Sequence, residues 1–385
     1  MKTLFKILLG APVLLVPALI QAAEPQNGSG ETDGYRVVWQ DLFDAAELDL
    51  NRWNIEVNGE GGGNHELQYY TDRPENVSLG DDGQGNGCLI LTARRENYLN
   101  KNFTSGRVNS KKKIAFTHGK MEASIKFPST SNGLWPAFWM MGNDYDEVGW
   151  PKCGETDILE MGHADGIRNN TQDRYFNGAS HWGQQWPQAS AASPVTKAYS
   201  LQDGEFHLFT IIWDEEGYRM YVDLDRMPKQ NPYHTLKCPL DDPENEWSPG
   251  NYFHKDNFIL FNLAVGGDFP GIHDPSGITA LNEENGQQAS MYVNYVKIYQ
   301  KGDTSENQSF ADAGDESGIY LTENAPETEI SYNGSLLSCE SPLHLYGADG
   351  RKVTSSPDGR ISTDTLQPGL YLASAGSDRL KILVK

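Results

Sequence analysis

The chain reads as an all-β protein: a large two-sheet sandwich or barrel followed by a small second β module. Three features predict this. Between about residues 35 and 300, short β-like runs recur between Gly, Asn, Asp and Pro, and no long segment has helical period. About 265 residues is large for an immunoglobulin-like sandwich but suits a bigger two-sheet architecture. After an acidic stretch, turn-punctuated strands begin again near residue 330.

The elements follow in order. Lys2 and Lys6 precede the apolar run 7–20, which ends at the small residues Ala22 and Ala23. This predicts a signal peptide over 1–23 and an exported mature chain. No Cys follows the run, so a lipid anchor is not expected, and no other stretch is apolar and long enough to span a bilayer. The clearest strands of the 35–300 domain are 36–40, 88–93, 120–127, 134–141, 206–213, 219–223, 258–264 and 292–299. The run Lys111-Lys112-Lys113 is read as a solvated turn. Residues 301–329, rich in Asp, Glu, Ser, Asn and Gly, are expected to be an acidic linker. Residues 330–385 carry strand-like runs at 343–350, 360–363, 366–372 and 380–385, joined by Asp-Gly and Pro-Gly turns.

Composition narrows the partners. The formal net charge of −22 disfavours nucleic acid and anionic membranes. Nine Trp, 18 Tyr and 14 Phe supply flat apolar faces that suit neutral pyranose rings as well as they suit cores. Cys88, Cys153, Cys238 and Cys339 lack metal-ligand spacing, and their pairing is not readable.

The chemistry concentrates in 150–163, where Glu155, Asp157 and Glu160 lie. On a regular strand Glu155 and Asp157 share a face and Glu160 points away. A β-bulge at Ile158-Leu159 would return Glu160 to the face of the other two. Such a wall suits retaining glycoside hydrolysis, in which a carboxylate nucleophile and a carboxylic acid lie about 5–5.5 Å apart. In chain order Glu155 would be the nucleophile and Glu160 the acid/base, with Asp157 between them tuning the pair. Their Cα atoms would be on the order of 13 Å apart, so both side chains must lean inward. A plain solvated acidic strand is the alternative for the three acids alone.

The flanks decide between these. Leu134-Trp-Pro-Ala-Phe-Trp-Met-Met141 ahead of Glu-x-Asp-x-x-Glu resembles the bulged signature of glycoside hydrolase family 16, in particular its laminarinase-like β-glucanases. The resemblance extends over nearly all of 35–300. It implies a jelly-roll sandwich whose concave sheet forms an open glycan cleft. It also implies that Asn64 and Glu66, in an early loop running to Thr71, meet sugar hydroxyls, that Arg107 lies near the nucleophile, and that Asn262 belongs to a late cleft strand. Trp135 and Trp139, four apart and so on one face of a strand, are read as cleft walls, with small Ala137 leaving room for a sugar ring. His181 and Trp182 are expected to line the same cleft from the neighbouring strand. Trp53, Trp150, Trp186, Trp213 and Trp247 are left to core or loop packing.

Many members of that family carry a structural calcium away from the cleft; Asp41 and Asn294 stand where ligands would come from, but Asn294 replaces the usual Asp. No cofactor is required by the mechanism, and the three acids are not expected to hold a metal. The 330–385 module resembles the C-terminal sorting domains of type IX secretion in Bacteroidetes. The sequence thus predicts a secreted or cell-surface monomer, a retaining endo-β-glucanase acting on β-1,3 or mixed β-1,3/1,4 glucan. The same chemistry on an agar-type galactan, or a non-catalytic glucan-binding role, are the rival readings.

Overall fold

A computed structural model describes residues 34–301, apart from positions 84, 86 and 241, together with 310–312 and most of 330–384. The predicted signal peptide and most of the predicted linker lie outside the described residues. The chain divides into two compact units, Met1–Asp315 and Glu316–Lys385.

The first unit is a two-sheet jelly roll. One sheet runs, in spatial order, His234–Lys237, Gly217–Val222, His207–Asp214, Gly119–Lys126, Gln288–Lys301, Gly87–Tyr98, Lys101–Ser105 and Gln68–Tyr70, with Tyr35–Asp41 and Val77–Asp81 alongside. The other runs Ala189–Thr196, Tyr175–Trp182, Glu155–Met161, Leu134–Gly142, Asn257–Val265, Arg107–Asn109 and Asn54–Ile55. Period-two alternation supplies the core between them. Leu89, Leu91, Met121, Phe209 and Ile211 from the first sheet meet Phe138, Ile158, Leu159, Phe176 and Phe261 from the second, all fully buried in one cluster. The eight strands expected from sequence all form, with ends shifted by a few residues. Strand Ala189–Thr196 was not foreseen; its half-exposed run of Ala, Ser and Pro at the sheet edge carries little strand propensity. Within the expected linker, Phe310–Asp312 pairs with Ile114–Phe116, so the reading of an unpacked segment does not hold for those three residues: the edge of that strand offers them a backbone ladder.

The bulge forms where the spacing of the acids demands it. On one side Phe138 faces Leu159 and Trp139 faces Asp157, which skips Ile158. On the other, Asp157 faces Ala179 and Glu160 faces Asn177, so that Ile158 and Leu159 share Gly178. Both extra apolar side chains are fully buried in the sandwich core, which anchors the bulge by burial. The Tyr233 hydroxyl donates to the Ile158 carbonyl that the irregular ladder leaves over.

The second unit is a small β module. Its described strands form a three-stranded sheet (Ser331–Tyr332, Leu336–Ser338, Arg360–Ser362) and a four-stranded one (Lys352–Ser356, Leu343–Gly347, Gly369–Ala375, Asp378–Val384). Ile330, Leu337, Leu343, Leu345, Ile361, Ala373 and Ala375 make its core.

Gly178 has no room for a side chain: an added Cβ would lie 2.8 Å from Tyr233 Cε2 and 3.0 Å from His234 Cβ. Gly178→Ala should therefore push Tyr233 off the bulge and destabilise the first unit by about 1–3 kcal/mol, measured by urea denaturation. An unchanged midpoint and slope would show that the bulge does not depend on this contact.

Candidate active site

Cross-strand register lays out the site in rows. Directly opposed residues on antiparallel strands point to the same face. Arg107, Asn262, Ala137, Glu160 and Asn177 form one row across five strands. Trp139, Asp157 and Ala179 form the next, and Met141, Glu155 and His181 the one beyond. The bulge thus gathers all three acids on the face away from the sandwich core, while Thr156 turns inward to pair with the Tyr218 hydroxyl at 3.1 Å.

Each acid has distinct neighbours. Trp135 Nε1 donates to Glu160 Oε1 at 3.0 Å, and the Trp135 ring is stacked on Phe269 with centroids 4.7 Å apart. The Trp150 side chain hydrogen-bonds Glu155, and the Arg107 charge favours the Glu155 anion. His181 Nε2 lies 3.4 Å from Asp157 Oδ2, an oxygen that no well-aligned donor reaches.

Arg107 is itself fixed, with Nε 3.0 Å from Glu56 Oε1 and its guanidinium 4.9 Å from the centre of the Trp139 ring. Trp139 Nε1 in turn donates to Asn262 Oδ1 at 2.7 Å. Glu66 is buried, accepting from Gln68 Nε2 at 2.6 Å and from the Tyr70 hydroxyl at 3.0 Å.

Burial dominates the protonation of the acids. All three carboxyl groups are raised above their ordinary range, first by desolvation. Mutual repulsion adds to this for Asp157, which feels both glutamates, and for Glu160, which feels Glu155. The opposing influences are unequal. Glu155 has an N–H donor and a guanidinium on its side, whereas Glu160 has an N–H donor alone. Glu155 is therefore the easier of the two to ionise, and Glu160 the better at keeping its proton. Burial also lowers the His181 pKa, which favours a neutral imidazole.

Most residues expected at the site meet there. Glu155, Asp157, Glu160, Trp135, Trp139, Arg107, Asn262 and His181 share this face. Glu66 reaches it through the Tyr70 hydroxyl, which also lies 3.5 Å from Asn262 Nδ2. Asn64 is exposed on the loop beside it, its side chain bonded to the Gly62 carbonyl at 3.3 Å.

Trp182 corrects the expectation. Being next to His181 on a strand, it points to the other face, packs in the core 5.8 Å from the Phe253 ring, and donates to the Trp247 carbonyl at 2.9 Å. Trp150, left to packing, holds Glu155 instead. Its ring lies 5.8 Å from that of Trp186, which is 70% exposed. Position five residues before Glu155 was the only available sign of Trp150's role; for Glu56, distant in sequence, there was none.

At the expected calcium position, Asn294 Nδ2 donates to the Gly87 carbonyl at 2.9 Å. Asp41 accepts from Phe43 N and Trp53 Nε1, each at 2.9 Å. The group turned toward the Gly87 carbonyl is thus a donor, whereas calcium needs oxygen ligands. These residues do not fit the ion as arranged.

A jelly roll whose bulged strand presents paired half-buried glutamates, one near a guanidinium and the other inclined to stay protonated, belongs to the class of glycoside hydrolases. The family model for glycosyl hydrolases family 16 matches residues 66–239. A β-glucanase of Rhodothermus marinus is 32% identical over 288 residues, 70% of this chain and 87% of that protein. The glucan endo-1,3-β-glucosidase A1 of Niallia circulans is 29% identical over 285 residues, of which the chain covers only 38% of the relative's length. Among solved structures, a family 16 mixed-linkage glucan enzyme of Bacteroides ovatus in complex with product is 38% identical, with TM-score 0.59, over 68% of this chain and all of that one. The catalytic domain of a Thermotoga petrophila laminarinase is 32% identical, with TM-score 0.55, over 70% and 99% of the two chains. The chain belongs to glycosyl hydrolases family 16.

Because Glu160 is raised in the folded state, this carboxyl binds more proton in the folded than in the unfolded chain above about pH 4.5. Stability contributed by the neutral carboxyl is therefore lost as pH rises from there through the folded value. Glu160→Gln removes this dependence while keeping an oxygen for Trp135 Nε1. The variant should melt several degrees higher than wild type at pH 8 and no higher near pH 4, by scanning calorimetry. Equal melting temperatures at pH 8 would contradict the raised carboxyl.

Proposed function

We propose that the chain is a retaining endo-β-glucanase that cleaves β-1,3 linkages of laminarin-like glucans or the β-1,3/1,4 glucans of mixed linkage. The observation that carries this reading is the bulge at Ile158-Leu159, which sets Glu155, Asp157 and Glu160 side by side on one face. The glucanases and laminarinases among its relatives support the substrate class.

The chemistry follows from the neighbours of each acid. Trp135 Nε1 occupies Glu160 Oε1, so the proton sits on Oε2 and is delivered to the glycosidic oxygen as the bond to the anomeric carbon breaks. The Glu155 carboxylate attacks that carbon through an oxocarbenium-like transition state and forms a glycosyl-enzyme ester, while the leaving sugar departs as an alcohol. Water then enters, Glu160 takes its proton, and Glu155 is released. Asp157, kept protonated by burial between two glutamates, can donate its O–H to the Glu155 anion and hold it in line. Arg107 offsets the nucleophile's charge, and Trp139, stacked on Arg107, offers a flat face to a sugar ring.

The site needs only one chain, in keeping with a monomer, and requires no cofactor. The run 7–20 is read as a secretory signal. The 330–385 module is read as a type IX sorting domain that carries the enzyme to the cell surface or beyond.

Product analysis on laminarin, mixed-linkage β-glucan and agarose tests the reading. Gluco-oligosaccharides should form from one or both glucans, and Glu155→Gln should lose at least 10³-fold in kcat with the fold intact, as expected for a removed nucleophile. Cleavage of agarose alone would move the substrate to a galactan; near-full activity of Glu155→Gln would overturn the catalytic assignment.

A further inference from the structure

Two loops meet at the rim of the site, and their contact has no part in the reaction above. One carries His65 next to Glu66. The other carries Asp268 and His273 on either side of Phe269, the ring that stacks on Trp135.

Their backbones are locked together. The bond between them is Asp268 N donating to the Asn64 carbonyl at 2.8 Å, and the second loop is closed on itself by Gly267 and Ile272, which exchange N–H···O bonds of 2.8 and 3.1 Å. Gly267, at φ +96°, admits this approach: a Cβ there would lie 2.6 Å from the Asn64 oxygen. His65 holds a left-handed φ of +56°, a conformation that residues with a side chain seldom adopt. That geometry brings His65 Nδ1 to 3.1 and 3.0 Å from the two Asp268 carboxylate oxygens. His273 Nε2 reaches Asp268 Oδ1 at 2.7 Å.

We propose that His65, Asp268 and His273 form a binding site for a divalent transition metal, zinc above all, that clips these two loops together. Their ligand atoms all lie within 4.8 Å of one another. Tetrahedral zinc with bonds of about 2.0–2.1 Å sets its ligands about 3.3 Å apart, so small side-chain rotations suffice. Two imidazoles and one carboxylate favour zinc, nickel or copper over calcium or magnesium, which take oxygen. All three side chains are exposed, so hydrogen bonds between them are weak in water, while an ion can enter freely and keep a water in its fourth position. The ion would pin the loops beside Glu66 and Phe269 without touching the three acids.

The test is calorimetric titration of zinc chloride into the chelator-stripped chain carrying no affinity tag. The expected result is saturable binding of one zinc per chain, weakened at least tenfold in His65→Ala and in His273→Ala, with zinc raising the melting temperature of wild type but of neither variant. Absence of saturable binding would overturn the site and leave a hydrogen-bonded clasp. So would binding that survives both substitutions, or that is lost instead in Glu155→Gln, which would place the ion at Glu155, Asp157 and His181. The readout is binding, so its failure is separate from any failure of the glucanase reading.

Discussion

Three carboxyl groups held together on one partly desolvated face are the constraint around which this domain is arranged. Each is raised toward its neutral form by burial, and the charges of the glutamates raise their neighbours further. A sheet tolerates such a wall only if its surroundings divide the charge unequally. Arg107 and Trp150 favour a negative Glu155, while Glu160, with Trp135 alone, is left as the protonated partner. The two glutamates, chemically identical, are thus distinguished by their neighbours.

The same constraint reaches into the core. Returning Glu160 to the acid face requires one extra residue in the strand, and the apolar surface of Ile158 and Leu159, sunk among the aromatics of the sandwich, holds that irregularity in place. Gly178 opposite and Tyr233 behind it complete the support. Core packing and the geometry of the acid face are one structure here: the residues that stabilise the bulge are those that turn Glu160 toward Glu155 and Asp157.

Much of this could be read from the chain because it rests on local periodicity. Glu-x-Asp-x-x-Glu breaks strand alternation by one residue, and only a bulge reconciles it with three acids on one wall. The four-residue spacing of Trp135 and Trp139 likewise fixed their common face. Trp182 shows the rule applied incompletely: once His181 faces the acids, its neighbour must face the core. Glu56 and Trp150 were out of reach for a different reason. Glu56 meets Arg107 from a strand-end loop brought in by tertiary pairing, and Trp150 reaches Glu155 from a turn whose path no periodic pattern encodes. The pairing of His65 with Asp268, more than 200 residues apart and both on loops, lies equally beyond pattern reading.

The central claim, that Glu155 is the nucleophile and Glu160 its proton donor, is tested most directly by trapping the intermediate. The purified chain would be incubated with a 2-deoxy-2-fluoro laminarioligosaccharide bearing a dinitrophenyl leaving group, digested, and its 153–168 peptide sequenced by tandem mass spectrometry. The account predicts a single fluoroglycosyl ester on Glu155, formed quickly in wild type and still formed in Glu160→Gln, because so activated a leaving group departs without a proton. An ester on Asp157 or Glu160, or turnover with inversion and no adduct at all, would contradict it.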